Sequence, residues 1–280
     1  MKEMCMKIVF LLTACVSILA VALICIFLFA KGVPAIQQIG AVDFLTGMKW
    51  KPSNEIFGIF PMIIGSIYVT AGAVVIGVPL GILCAVFLAR FCPNPLYRFI
   101  KPAVSLLAGI PSIVYGFFGL VVLVPMMQNL FGGSGKGILT ASILLGIMIL
   151  PTVIGVSESA LRAVPNSYYE GSLALGATQE RSVFFVMLPA ARQGILAGVI
   201  LGIGRAIGET MAVVMIAGNQ PVIPNSIFSG VRTLTANIVM EMGYATDLHR
   251  GALLGTAVVL FVFILLINLS FSALRKGRAK

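Results

Sequence analysis

Charged side chains are scarce in this chain, since Asp, Glu, Lys and Arg together make up only 10% of its 280 residues. Its single His, His249, suggests no role. The cysteines have neither the CxxC pattern nor the spacing of metal ligands, and we interpret them as small packing residues: Cys5, Cys15, Cys25, Cys84 and Cys92. We therefore predict no metal site.

A phosphate-binding loop for nucleotides is also missing. The glycine-rich stretch GGSGKG at 132–137 fails the G-x-x-x-x-G-K-[ST] pattern, because Gly137 follows Lys136. We interpret it as a flexible turn. The sequence therefore gives no site for ATP, and we expect the chain to bind no cofactor of its own.

Apolar residues are abundant instead, at 59% of the chain with a mean hydropathy of +1.08. The apolar runs reach the roughly 20 residues that a helix needs to cross a bilayer, and they lack the alternation of barrel strands. We predict an all-α integral membrane protein without a separate soluble domain. Its six transmembrane helices lie near residues 8–30, 62–89, 103–127, 138–160, 194–217 and 251–274.

The first apolar run follows Lys2 and Lys7, as the core of a signal peptide would. The run is longer than a typical signal-peptide core, and no A-x-A-like cleavage site follows it. We therefore expect it to be a membrane helix.

Basic residues predict the orientation, because cytoplasmic loops carry an excess of Lys and Arg. An N-terminus inside places 12 basic residues on the cytoplasmic side, namely Lys2, Lys7, Arg90, Arg98, Lys101, Arg162, Arg181, Arg192, Arg275, Lys276, Arg278 and Lys280. The outside set has 6, namely Lys31, Lys49, Lys51, Lys136, Arg232 and Arg250. Both termini are therefore predicted to be cytoplasmic, and the net charge of +10 reflects topology more than nucleic-acid binding.

Two ionisable residues, Arg205 and Glu209, lie near the middle of the apolar stretch 194–218. On a continuous helix they share one face with three glycines, Gly194, Gly198 and Gly202. A charge at the bilayer centre costs about 3 kcal/mol or more, so this face should point into protein or a polar cavity. The alternative is a neutralised pair that only holds two helices together, which apolar residues would do at lower cost.

Prolines and the single Trp predict three further features. Pro79 predicts a kink in the second run, and Pro111 in the third frees a carbonyl that must find another donor. Broken helices of this kind can line a cavity, to which Ser112 and Tyr115 would supply hydroxyls, although a simple packing kink is an equal alternative. Trp50, between two lysines, predicts an interfacial anchor.

The segment at 160–194 is long for a link between two membrane spans. We predict a helix from Tyr168 to Leu175, ended by Gly176, and a second from Ser182 to Met187 before Pro189 breaks the chain. Two short helices on the cytoplasmic face form a candidate docking surface. An amphipathic hairpin that rests on lipid headgroups is the alternative.

This segment resembles a known motif. Glu170, Gly176 six residues later and VMLP at 186–189 keep the spacing of the E-A-A-x3-G-x9-I-x-L-P motif of ABC importer permeases. Gly171 and Ser172 replace the two alanines of the motif, and its isoleucine is Val186 here. These replacements keep the residue sizes similar.

Several phrases narrow the resemblance: IPSIVYG, IMILPT, LRAVP, ALGAT and GRAIGETMAVVMIAGN. They are similar to the phosphate-importer permeases of the PstC type, from about Gly58 to the C-terminus. Residues 211–219 favour this type over the neighbouring PstA type. The resemblance implies the ABC importer type I permease fold, with an N-terminal helix and first outside segment at 1–57 and a five-helix permease domain at 58–280 that includes a cytoplasmic coupling loop at 161–193.

The resemblance also implies partners and a location. Such permeases are not enzymes; they assemble with a homologous second permease (PstA type), two ATPase subunits that use ATP and Mg, and an extracytoplasmic phosphate-binding protein. We expect a multi-pass protein of a prokaryotic cytoplasmic membrane, in contact with lipid and not with nucleic acid. The coupling-loop residues by this resemblance are Glu170, Gly171, Ser172, Gly176, Val186, Leu188 and Pro189.

Arg205 and Glu209 match family positions implicated in the passage of phosphate. The fork of an Arg suits an oxyanion because it donates two parallel hydrogen bonds and stays charged. Glu209 would either accept the P–OH proton of hydrogen phosphate, which sulfate lacks, or hold Arg205 in one rotamer. The alternatives for the whole chain are a permease for another oxyanion, such as sulfate or molybdate, and an ion-driven secondary carrier or channel, against which the coupling motif argues.

Overall fold

The computed structural model describes the backbone of residues 2–277 and the side chains of residues 6–270. Its α-helices, in chain order, are α1 Lys2–Ile39, α2 Ala41–Thr46, α3 Phe60–Val86, α4 Asn94–Gly109, α5 Ser112–Phe118, α6 Val124–Phe131, α7 Ile138–Ala163, α8 Asn166–Ala174, α9 Gln179–Ser182, α10 Leu188–Ala190, α11 Arg192–Gly208, α12 Met211–Ile216, α13 Leu234–Glu241 and α14 Asp247–Gly277. Two short strands, β1 Trp50–Lys51 and β2 Ile56–Phe57, pair antiparallel with Trp50 opposite Phe57.

Short turns of other helix types join several of these elements. A 3-10 turn, Pro52–Asn54, connects the two strands. Three π-helical turns extend α3, join α5 to α6 and join α9 to α10: Phe87–Phe91, Gly119–Leu123 and Val183–Met187. Pro79 lies within α3 and does not end it.

Five segments in the described part of the chain are long and apolar enough to cross a membrane: Met6–Ile39, Phe60–Phe91, Ser112–Phe131, Ile138–Ala163 and Asp247–Ser270. A sixth span is possible if Gln179–Ala190 and Arg192–Gly208, which meet at a bend of 70°, cross together. This agrees with the six predicted spans, but two of their boundaries are wrong. The third span begins at Ser112 rather than 103, because Ile110 and Pro111 interrupt the helix, and the fifth breaks after Gly208.

Helix α7 lies at the centre of the fold, with α3 and α11 packed against it. Its large apolar side chains are fully buried: Leu144, Leu145, Met148 and Ile149. Helix α3 approaches closely because Gly77 and Gly81 face α7; a Cβ at Gly77 would lie 2.6 Å from the carbonyl oxygen of Gly146. Close helix approach through small residues is typical of membrane proteins. The packing fixes the position of α11, which carries Arg205.

The loops lie at two opposite ends of the bundle. We call the end formed by residues 40–59, 132–137 and 217–246 the Trp50 side, and the end formed by residues 164–191 the Gly176 side. Most of helix α1 stands apart from the core. Its last turns pack on α14, where Gly32 and Gly255 allow close approach, and on the apolar cluster around Phe44. Its side chains from Met6 to Ala30 are almost all exposed.

The prediction for Trp50 is wrong. Its side chain is buried, and its indole Nε1 donates a hydrogen bond of 2.8 Å to Oε2 of Glu241. The same carboxylate accepts from Arg232 at 2.6 Å and pairs with His249 at 2.8 Å. The residues of this cluster are far apart in sequence, so they could not be recognised as neighbours of Trp50. The prediction of an anchor relied on the two flanking lysines alone, whereas tertiary contacts bury the ring.

Candidate functional site

The glycine face of α11 packs against another helix, as the sequence predicts, and the structure shows that this helix is α7. A methyl group at Gly194 would overlap Ala160, and a Cβ at Gly198 would lie 3.1 Å from Cβ of Val156. One turn further, a Cβ at Gly202 would lie 3.0 Å from Val153. The absence of side chains therefore lets the two helices approach each other.

Arg205 continues this face one turn after Gly202. Its side chain is half-buried, and its Nη1 donates to the hydroxyl of Thr152 on α7 at 3.4 Å. Among the described side chains, no carboxylate lies within 4.0 Å of the Arg205 guanidinium. The arginine thus brings an uncompensated positive charge to a point where α11 is about to end.

The helix ends at Gly208, so the predicted continuous helix through residue 217 is wrong. Glu209 has an extended backbone, with φ −68° and ψ 132°, and α12 begins at Met211. The cause is local: Oε1 of Glu209 accepts from the backbone N–H groups of Thr210, at 3.1 Å, and Ala212, at 3.2 Å. The carboxylate therefore caps the start of α12, where the helix dipole favours a negative charge.

This break separates Arg205 from Glu209. The two side chains do not form an ion pair in the described structure, and the continuous shared face that the sequence predicts ends between them. On the other side of the break, the hydroxyl of Thr235 donates to the carbonyl of Glu209 at 3.0 Å. Sequence reasoning missed Thr152 and Thr235, because only the fold brings them to the break.

Pro111 breaks the third predicted span, and the carbonyl that it frees does find a donor. Proline has no N–H for the carbonyl four residues earlier, which is that of Leu107. The hydroxyl of Tyr115, a buried residue, donates to this oxygen at 2.9 Å. Ser112 begins α5 and is half-buried. The contact gives Tyr115 a structural task in the kink, and a place on a transport pathway remains a prediction for both residues.

The loop on the Gly176 side forms the predicted pair of short helices, with small shifts in their ends. Helix α8 is followed by Gly176 in the left-handed region, at φ +84°, which favours glycine. Thr178 then caps α9 by accepting from the N–H of Arg181 at 3.3 Å. Pro189 does not break the chain as predicted; it lies within the continuous helical run Gln179–Ala190, and the bend of 70° comes after it, at Ala191.

Arg90, at the end of α3, attaches this loop to the bundle. Its Nη1 donates to Oδ1 of Asn166 at 3.2 Å, and its guanidinium lies 5.5 Å from the ring centre of Tyr169. From the other half of the loop, Gln179 donates to the Arg90 carbonyl at 3.5 Å. Both short helices are therefore attached to one residue outside the loop.

The loop also exposes apolar surface. Leu175 is 91% exposed and Phe185 is 75% exposed, while Val183 and Met187 are buried beneath them. Of the predicted coupling residues, the exposed ones are Glu170, Gly171, Gly176 and Pro189, and the half-buried ones are Ser172, Val186 and Leu188. The structure therefore presents these residues on one loop, with an apolar surface that a partner can cover.

A second buried carboxylate, Glu158 near the end of α7, was missed by the sequence reading. It accepts from Lys101 at 2.6 Å, from the hydroxyl of Tyr97 at 2.8 Å and from Arg162 at 2.9 Å. The Arg162 guanidinium also lies 4.7 Å from the ring centre of Tyr97. The i, i+4 spacing of Glu158 and Arg162 was a visible signal, but only the fold shows that α4 supplies the other two partners.

Comparisons with known proteins agree with this geometry. The family described as "Binding-protein-dependent transport system inner membrane component" matches residues 77–280. The "Probable ABC transporter permease protein YqgH" of Bacillus subtilis is 40% identical over 271 residues, which cover 92% of this chain and 88% of that protein. The "Phosphate transport system permease protein PstC" of Mesorhizobium japonicum is 39% identical over 265 residues, covering 87% of this chain and 81% of that protein.

Solved structures show the same fold at low sequence identity. A chain of the MetNI methionine ABC transporter, in an inward-facing conformation, aligns with a TM-score of 0.62 at 21% identity, covering 82% of this chain and 99% of that one. A chain of a bacterial ABC transporter that imports alginate aligns with a TM-score of 0.61 at 12% identity, covering 95% and 96%. The predicted ABC importer permease fold is confirmed. This chain belongs to the family of inner membrane components of binding-protein-dependent transport systems, which are ABC importer permeases and not catalytic subunits.

Proposed function

We propose that this chain is the permease subunit of an ATP-driven importer that moves inorganic phosphate across the cytoplasmic membrane. One observation carries the proposal: relatives named phosphate transport system permease protein PstC, in Mesorhizobium japonicum and Haemophilus influenzae, are 39% and 36% identical over most of this chain. Similarity of this extent, through the helix break at Arg205, supports a shared substrate class.

Arg205 is the residue that we propose to meet the anion. An arginine within a membrane span costs free energy unless a partner compensates its charge. The described side chains place no carboxylate within 4.0 Å of it, so a passing oxyanion can act as that partner. The adjoining break supports this role, because interrupted helices leave polar backbone groups where they line a cavity.

One carboxylate oxygen of Glu209 is available for a ligand. Oε1 is engaged by two backbone N–H groups, whereas no hydrogen bond to Oε2 is found in the described structure. We propose that Oε2 accepts the P–OH hydrogen bond of hydrogen phosphate and repels sulfate. The alternative role as a brace for Arg205 has no direct contact to support it.

We further propose that the chain works with four kinds of partner. The apolar surface around Leu175 and Phe185 fits one of two ATPase subunits, which would bind ATP and Mg, so that this chain needs no cofactor. One side of α1 fits a second permease of the PstA type, and its other exposed sides face membrane lipid. An extracytoplasmic phosphate-binding protein would deliver the anion on the Trp50 side.

The Trp50 side would accordingly face outward, as the excess of basic residues on the other side indicates. A Cys-free variant tests this orientation through Ser226→Cys on the Trp50 side and Ser167→Cys on the Gly176 side, both at exposed positions. A membrane-impermeant maleimide should label only Ser226→Cys in intact cells. Labelling of Ser167→Cys under the same conditions would reverse the orientation.

Uptake of labelled phosphate by membranes that contain the whole complex tests the function. Arg205→Gln should lower uptake more than tenfold at equal abundance of the complex, whereas Arg205→Lys, which keeps the charge without the fork, should keep part of it. Glu209→Gln should lose discrimination against excess sulfate more than it loses phosphate flux. Wild-type uptake by Arg205→Gln would remove this residue from the pathway, and uptake of sulfate or molybdate in place of phosphate would replace the proposed substrate.

A further inference from the structure

A groove of about 750 Å³ lies between α1 and α14 on the Trp50 side, away from Arg205 and from the loop on the Gly176 side. Apolar side chains, including Phe27, Ala35 and Leu254, form part of its lining, and two basic residues, Lys31 and Arg250, also line it. The groove thus combines a surface suited to hydrocarbon with a cationic rim. Neither the transport pathway nor the coupling loop accounts for this combination.

Neither basic residue has an acidic partner in the part of the chain whose side chains the structure describes. Lys31 and Arg250 are exposed, and among the described side chains no carboxylate lies within 4.0 Å of either. Asp247 is the one acidic residue that lines the groove, so the net formal charge of its ionisable lining is +1. A ligand with a single negative charge complements this site better than a zwitterion does.

The position of these residues along their helices indicates the depth of the groove. The uncharged stretch 8–30 of α1 ends immediately before Lys31, and the uncharged stretch 251–274 of α14 begins immediately after Arg250. Residues 8–30 span roughly 35 Å as a helix, enough to cross about 30 Å of hydrocarbon. Both basic residues therefore lie at one membrane–water boundary, which is where lipid headgroups carry their phosphates.

The packing of α1 on α14 keeps the groove next to the lipid. The helices touch through small residues, since a Cβ at Gly251 would lie 2.8 Å from Cβ of Ala35 and one at Gly32 would lie 2.7 Å from Val258. The side chains of α1 before Phe27 are almost all exposed, so the apolar lining continues into a surface suited to acyl chains. A free anion would use the charges but leave this apolar surface uncovered.

We propose that this groove binds an anionic phospholipid with a glycerol headgroup, of the phosphatidylglycerol class. The phosphodiester lies at the rim formed by Lys31 and Arg250, the headgroup hydroxyls donate to Asp247, and an acyl chain runs along Phe27 and Leu254. The phospholipid and free phosphate both offer a phosphate group to the basic rim. The apolar lining favours the lipid over the free anion, because only the lipid has acyl chains to cover it. The inference depends on the membrane location of the chain and not on which anion it transports.

Native mass spectrometry of the full-length protein tests the proposal, after equilibration with micelles that contain equal amounts of phosphatidylglycerol, phosphatidylethanolamine and phosphatidylcholine. The wild type should retain phosphatidylglycerol preferentially. The double substitution Lys31→Gln/Arg250→Gln should lower this retention on the order of tenfold or more, since both basic contacts are lost. Lys49→Gln/Lys51→Gln, which removes the same charge on the same side but outside the groove, should retain wild-type binding.

Two further variants test the role of charge, and competition with inorganic phosphate separates the lipid from the free anion. Lys31→Arg/Arg250→Lys keeps both charges and should bind normally. Asp247→Asn keeps an acceptor oxygen for the headgroup hydroxyls and removes the negative charge, so it should increase phosphatidylglycerol retention. Equal retention by the Gln double variant, or equal loss in the Lys49/Lys51 control, would overturn the site. Displacement of the lipid by excess inorganic phosphate would assign the rim to the free anion, and a preference for phosphatidylethanolamine that Asp247→Asn abolishes would assign it to a zwitterion; either result would contradict the proposal.

Discussion

Two buried carboxylates, one at each end of the bundle, receive three side-chain contacts each but differ in the surroundings of their partners. On the Trp50 side, Glu241 contacts Arg232 and His249, each of which is 13% exposed, and the buried Trp50. On the Gly176 side, Glu158 pairs with Lys101, which is 33% exposed, and Arg162, which is 47% exposed. The first cluster is shielded from water throughout, whereas in the second the carboxylate is buried and its two cations reach water.

The two clusters also connect different parts of the chain. Glu241 contacts Trp50 of the β1–β2 hairpin, which lies 191 positions earlier in the chain. Glu158 pairs within its own helix, with Arg162, and holds α4 through Lys101 and Tyr97. Because water can replace the exposed partners of Glu158, its contacts can change at lower cost than those of Glu241. The difference indicates a fixed Trp50 side and an adjustable Gly176 side, which is where the proposed ATPase would act.

The strongest test of this comparison removes one cation from each cluster. Arg232→Met leaves Glu241 buried without its closest cation and should lower the free energy of unfolding by about 3–5 kcal/mol. Lys101→Met leaves Glu158 paired with Arg162, so it should cost about 1 kcal/mol or less. Thermal unfolding of the purified protein in one detergent measures both. Equal losses for the two variants would show that the ends do not differ.

A second prediction concerns the loop on the Gly176 side. Gly176→Pro cannot keep φ +84° and removes the N–H that donates to Leu173, so the turn between α8 and α9 should distort. Phosphate uptake should fall more than tenfold, and less ATPase should copurify from membranes with equal amounts of this chain. Gly171→Ala, in the interior of α8, restores the alanine that the family motif has at this position, so it is the matched control and should be neutral. Normal uptake with undiminished ATPase recovery in Gly176→Pro would exclude the docking role.

Local rules predicted the features that depend on neighbours along the chain. The packing of Gly198 and Gly202 on α7 follows from helical spacing, the left-handed turn at Gly176 follows from helix termination, and a donor for the carbonyl freed by Pro111 follows from satisfied hydrogen bonding in a membrane. In each case the residue type and a short spacing were sufficient. The identity of the donor, Tyr115, needed the fold.

The failures come from contacts that override local preference. Residues 194–218 are helical by hydropathy, yet Glu209 ends α11 because its carboxylate caps the following helix. Trp50 has the flanks of an interfacial anchor, yet Glu241, far along the chain, gives its N–H a buried acceptor. A sequence does not show which of several polar partners a side chain will meet. The break between Arg205 and Glu209 therefore became visible only in the structure.

A third prediction sharpens the description of the Trp50 side. Trp50→Phe keeps an aromatic ring against Phe57 but loses the hydrogen bond to Glu241, which should cost about 2 kcal/mol of unfolding free energy, as is typical for bonds to a charged group. Phe57→Leu removes the facing ring and leaves that bond in place, so it serves as the control for ring packing. Denaturation curves followed by far-UV circular dichroism measure both. An unchanged midpoint for Trp50→Phe would mean that the hydrogen bond from Trp50 to Glu241 does not contribute to stability.

The smallest effect is expected on the Gly176 side, at Tyr97, which lies outside the spans that the structure describes. The hydrogen bond from its hydroxyl to Glu158 is the main cause that raises the pKa of Tyr97 above the ordinary tyrosine value, with burial adding to it. A raised pKa means that the bond stabilises the fold below the ordinary tyrosine pKa and that this contribution is lost as pH rises through the higher value. The tyrosinate absorbance of the wild type minus that of Tyr97→Phe isolates this titration. Glu158→Gln should move the titration of Tyr97 to lower pH. The difference spectrum of Tyr168, obtained in the same way with Tyr168→Phe, is the control and should not change. A Tyr97 titration that is the same with and without Glu158→Gln would show that this contact does not hold α4.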